Sequence, residues 1–95
     1  MPAVYARARW VLRLPGCRSL KEKRRLVRGL RDRVRARFAV SVAETDFQEE
    51  HGRAELSVAL VTSEAALADS ILTRLDTLVA ADPRWFVIER EAEVQ

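Results

Sequence analysis

The sequence predicts an α+β domain in which two helices cover one face of a four-stranded antiparallel sheet. Three observations predict it. Strand-like runs and helix-like runs follow one another as strand, helix, strand, strand, helix, strand. Each run ends in turn chemistry such as Pro15–Gly16 or Asp82–Pro83. No repeat, low-complexity tract or Pro/Gly/Ser-rich linker divides the 95 residues, so residues 1–95 are expected to share one core.

From Val4 to Leu14 the chain alternates, with Val4, Ala6, Ala8, Trp10, Leu12 and Leu14 on one side and Tyr5, Arg7, Arg9, Val11 and Arg13 on the other. Period two with one apolar side means a half-buried strand, and Pro15–Gly16 ends it. Ser19 with Glu22 three residues on forms a capping-box pattern for the first helix. In that helix Leu20, Leu26, Val27, Leu30, Val34 and Phe38 recur at helical spacing. Gly29 inside it costs roughly 1 kcal/mol relative to alanine, which suggests a close approach to the sheet. Residues 39–47 read as a second strand and residues 53–62 as a third, with Ala54, Leu56, Val58 and Leu60 on one face and a polar Gly52-containing loop between the two. Ser63 is the expected cap of a second helix in which Leu67, Ile71, Leu75 and Leu78 face inward. Residues 84–94 close the chain as a strand, and Trp10 and Phe86 are expected in the core. Right-handed crossovers then place strands 1 and 3 in the centre, which is the ferredoxin-like βαββαβ sandwich.

The formal charge of +3 hides a division. Residues 1–38 hold thirteen basic residues against two acids, for +11, while residues 39–95 hold four against twelve, for −8. Such asymmetry points to an anionic partner for the basic part, or to neutralisation within the fold. Arg24, Arg28, Arg31 and Arg35 fall within about 60° of one another on a helix, with Lys21 at the edge of the stripe. Guanidinium groups match phosphate oxygens bidentately. Lys21, Arg24, Arg28, Arg31 and Arg35 are therefore the candidate nucleic-acid ligands, weighed against an ordinary solvated helix face and against a protein partner with an acidic surface. Arg7, Arg9 and Arg13 are assigned instead to cross-strand pairs with Glu89, Glu91 and Glu93. The outward side of strand 3 carries Glu55, Ser57, Ala59 and Val61 and no ring, which argues against base stacking on the sheet. Val11, Ala43, Ala59 and Val61 make that open face a candidate self-association surface, weighed against a plain solvated face; a homodimer through that face or through an edge strand is the alternative to the RNA reading.

No catalytic constellation stands out, and no enzyme, cofactor or small-molecule substrate is expected. His51 is the only histidine and has no second ligand near it in sequence. Cys17 lies near a helix start among Arg18 and Lys21, a setting that lowers a thiol's pKa, but no base accompanies it. Asp46, Glu49 and Glu50 lack the spacing of a calcium loop. A single cysteine, a charged N-terminal stretch and no long apolar run predict a cytoplasmic protein that neither spans nor binds a membrane.

At "LPGCRSLKEKRR" (14–25) and "RFAVSVAE" (37–44), continuing through "RAELSVALVTS", the chain resembles the YlxP-like family of small bacterial proteins of unknown function. The segment around Ser19, Leu20, Lys21, Lys23 and Arg24 carries most of the likeness. The resemblance implies the ferredoxin-like fold and no defined activity. Its frequent genetic neighbourhood with translation and ribosome-maturation genes implies a partner in structured RNA or the ribosome. Similar sequences tend to carry an aromatic residue, typically Trp, in the loop between strands 2 and 3, where this chain has His51.

Overall fold

The structure, a computed structural model, describes residues 2–95. β1 (Val4–Arg13), α1 (Leu20–Arg37), β2 (Ser41–Asp46), β3 (Arg53–Thr62), α2 (Ala65–Ala80) and β4 (Phe86–Val94) follow in the expected order. The sheet runs β2-β3-β1-β4 and every neighbouring pair is antiparallel. β1 and β3 are thus central, and the fold is ferredoxin-like. The β1–β3 register runs unbroken from Val4 opposite Thr62 to Arg13 opposite Arg53. It sets Ala8, Trp10 and Leu12 beside Val58, Leu56 and Ala54 on the face that the helices cover, where all six are buried. Deleting a ring such as Trp10 from this layer costs about 3–5 kcal/mol. None of the described helices is long and apolar enough to cross a membrane.

α1 buries Val27, Leu30 and Val34, as its spacing predicts. Its start is half a capping box: Ser19 accepts the Glu22 N–H at 3.1 Å, but the Glu22 carboxylate accepts from the Arg18 N–H at 3.3 Å. α2 differs from expectation. Its buried residues are Ala68, Leu72, Leu75 and Val79; Leu67 is exposed, while Ile71 and Leu78 are half-buried against the core. Apolar side chains cover so much of this helix that two adjacent phases fit the sequence equally, and packing selects one. Its N-cap is Glu64 rather than Ser63, with no side-chain cap. Asp76 fixes α2 to the sheet by accepting the Trp10 indole N–H at 2.7 Å and the Arg90 guanidinium at 2.8 and 3.1 Å.

β4 also departs from expectation. Val11 opposes Glu89 but Leu12 opposes Val87, so Ile88 is the extra residue of a β-bulge. The slip turns Phe86 to the open face opposite Arg13, where it is 59% exposed rather than in the core. Trp85 fills the interior instead, its indole N–H donating to the Val79 carbonyl at 2.7 Å. Gly29 likewise makes no close approach to the sheet: a Cβ there would meet only Arg33 Nη1, at 4.0 Å.

Candidate nucleic-acid interface

α1 divides its cations by direction. The apolar stripe of Val27, Leu30 and Val34 continues one turn towards the N-terminus at Lys23, which is 0% exposed. The Lys23 ammonium donates to the Phe47 carbonyl at 2.5 Å and the Arg53 carbonyl at 3.0 Å. Glu44 Oε2 lies 3.1 Å from it, an ion pair set off the hydrogen-bond axis, so that this oxygen accepts no hydrogen bond. Lys23 thereby holds both ends of the β2–β3 connection against α1. Phe47 takes a left-handed conformation there, with φ of 62°. Arg53 lies 4.0 Å over its ring and binds Glu50 through two hydrogen bonds. In the sequence Lys23 stands within a basic run that hides its inward phase. Its position four residues before Val27 and seven before Leu30 was the available signal.

On the opposite side, Lys21, Arg24 and Arg28 are exposed and, with Ser19, Glu22 and Arg25, line one shallow notch at the start of α1. Arg25 was missed because the stripe was centred on the Arg24–Arg35 row rather than directly away from the core. Arg31, about 40° from buried Val27 around the helix, is half-buried, with a buried Nε that has no hydrogen-bond partner among the described residues. Arg35 leans onto β2 and donates to the Val42 carbonyl at 3.3 Å. Of the five predicted ligands, three therefore gather in the notch and two, Arg31 and Arg35, lie outside it. Among the described residues, none of Lys21, Arg24, Arg25, Arg28, Arg31 and Arg35 forms an ion pair with a carboxylate. Arg33, on the flank, stands 3.7 Å from Asp82.

The arginines of β1 are arranged otherwise. Arg7 binds Glu93 at 2.7 Å, and Arg9 binds Glu55, Glu91 and Glu89 at 2.8, 2.9 and 3.0 Å. The hydrogen bond from Arg9, reinforced by the positive charge of its guanidinium, holds the Glu91 carboxyl below the usual range, and hydrogen bonds from Arg7 and then Gln95 do the same for Glu93. Arg13 takes no carboxylate among the described residues, so the expected pairing holds for two of the three arginines. The same network overturns one self-association residue. Glu55 and Glu89 flank Val11 in register, both are bound by Arg9, and Val11 beneath them is only 3% exposed. Ala43, Ala59 and Val61 do face solvent, and Tyr5, the cross-strand neighbour of Val61, joins them.

Cys17 is buried, with its thiol 3.4 Å from the Ser19 carbonyl. His51 Nδ1 lies 3.0 Å from the Cys17 carbonyl, which ties the β2–β3 loop to the turn before α1. The acids around it serve the same loop: Glu50 holds Arg53, and Asp46 accepts the Phe47 N–H at 2.7 Å.

Comparison with known proteins agrees with this architecture. The designed protein described as "De novo designed protein Foldit4" is 17% identical, with 99% of this chain and 97% of that chain covered and a TM-score of 0.56, a likeness of fold alone. No curated protein matches the chain. A family model described as "Protein of unknown function (DUF503)" matches residues 6–92. With nearly its whole length matched, the chain belongs to the DUF503 family.

Proposed function

We propose that this protein is a non-enzymatic RNA-binding protein that docks on structured RNA, in the setting of the ribosome, through the exposed face of α1. One observation carries the reading: Lys21, Arg24, Arg25 and Arg28 line one notch without a carboxylate partner among the described residues, in a chain whose sheet arginines Arg7 and Arg9 are paired. Crowded like charges on a helix repel one another, and phosphate relieves that repulsion. The YlxP-like resemblance at Ser19–Arg24 supports the same reading, together with a bacterial, cytoplasmic setting.

Four phosphate contacts give a log–log salt slope of roughly −3 to −3.5. The Arg25→Glu/Arg28→Glu double variant is expected to lose RNA binding in fluorescence-anisotropy titrations at low salt while its thermal midpoint barely moves. RNA affinity that survives the reversal removes the reading, as does its absence from the parent protein.

A second reading, a homodimer formed over the open sheet face, is favoured by the Tyr5–Val61 pair, exposed at 62% and 63% beside Ala43 and Ala59. Sedimentation decides it. A dimer should revert to monomer in Val61→Arg, and a parent that sediments as a monomer at micromolar concentration ends this reading.

A further inference from the structure

We infer that Gly29 is the seat of the RNA, the point where the sugar–phosphate backbone of a duplex rests directly against the α1 main chain; this rests on the RNA reading above. Gly29 stands in the middle of an 18-residue helix, where glycine is the least favoured residue after proline. Among the described residues, no close contact requires it. A methyl group in its place would meet only the tip of Arg33, at an ordinary van der Waals distance of 4.0 Å. The bare backbone is partly exposed to solvent. Helical geometry puts Gly29 about 40° from Arg25 and one turn further along, and the Arg33 guanidinium reaches it from the other flank. A patch without a side chain, flanked by Arg25 and by Arg33, whose Nη2 stands 3.7 Å from Asp82, with Asp32 three residues on as an acidic neighbour, has the shape to admit a phosphate chain closely.

The ligand chemistry follows from what α1 lacks. The helix segment LKEKRRLVRGLRDRVRAR contains no aromatic, amide or hydroxyl side chain. The large exposed rings, Tyr5 and Phe86, belong to the sheet. Single-stranded RNA is held chiefly by stacking on rings and by reading base edges, and this face offers no ring for stacking and no amide for base edges. A duplex turns its bases inward and presents phosphates and 2′-hydroxyls across a wide, shallow minor groove, which suits a cationic helix flank.

The test compares the parent, Gly29→Ala and Gly29→Leu, each titrated with a short RNA duplex and with one of its strands, alongside thermal melts. Alanine is expected to raise the thermal midpoint, because it is the better helix former, and yet to weaken duplex binding by about tenfold, the equivalent of one overpacked methyl group. Leucine should weaken it further. Unchanged duplex affinity in both variants overturns the seat even where RNA binding stands. A strand bound as tightly as the duplex overturns the duplex assignment. A parent that binds neither probe removes the RNA reading itself, before any Gly29 variant is needed.

Discussion

Arg7 and Arg9 on β1 and Lys21, Arg24, Arg25 and Arg28 on α1 come from the same basic third of the chain, and folding gives the two groups opposite electrostatic settings. On β1 the antiparallel register sets Glu93 opposite Arg7 and Glu91 opposite Arg9, with Glu55 and Glu89 within reach. The solvent side of α1 has no opposing element, and its notch cations form no ion pair among the described residues, although Glu22 lines the same notch. The difference teaches that local charge density alone does not mark a binding surface. What matters is whether the topology brings the acidic half of the chain alongside. Lys23 shows a third outcome: the same helix turns one cation inward and uses it as a clamp.

The largest expected effect tests that third outcome. Lys23→Met removes an ammonium whose loss leaves the Phe47 and Arg53 carbonyls without this donor and Glu44 without its counter-charge; breaking such a buried pair costs about 3–5 kcal/mol. Urea denaturation measures the loss. The RNA affinity of the folded fraction should stay at the parent level, and a loss of affinity matching the α1 reversals would show that Lys23 belongs with the exposed cations after all.

An intermediate effect separates β1 from α1 by pH. Glu91 and Glu93 titrate below the usual carboxylate range in the folded chain, each chiefly through the hydrogen bond from its arginine. Their stabilisation is complete above the unfolded value, about 4.3, and disappears as pH falls through the lower folded values. Thermal melts should therefore show an acid limb below about pH 4 that becomes shallower in Arg9→Gln. Arg9 lies on the sheet, away from the α1 notch, so RNA affinity of Arg9→Gln at neutral pH should stay at the parent level.

The smallest effect sharpens the α1 side. Asp32 is exposed, makes no ion pair among the described residues and lies one turn beyond Arg28. Asp32→Asn should tighten RNA binding by about twofold, the size of one screened surface interaction, as measured by titration at fixed salt.

The β1–α1 contrast was largely legible in the sequence, because strict alternation from Val4 to Leu14 and the matching Glu89, Glu91 and Glu93 imply cross-strand pairing. Lys23, Val11 and Phe86 were not read correctly, each for a physical reason. A lysine at an apolar helix position is buried only if backbone carbonyls converge on its ammonium, and those of Phe47 and Arg53 come from more than twenty residues away in sequence. Val11 follows the outward alternation but is covered by the Arg9 network. The bulge at Ile88 shifts the pairing at the start of β4, an event that alternation cannot foresee. Arg31 and Arg35 share the stripe's helical row, yet Arg31 is half-buried and Arg35 reaches across to the Val42 carbonyl of β2.

Element order, the antiparallel sheet with β1 and β3 at its centre, and the basic character of α1 follow from periodicity, turn residues and charge, which are local properties of the chain. Which cations are paired, buried or left facing solvent was decided only by the tertiary structure. Ion pairing depends on distances of a few ångströms between residues far apart in sequence, and register, bulge and helix phase set those distances together.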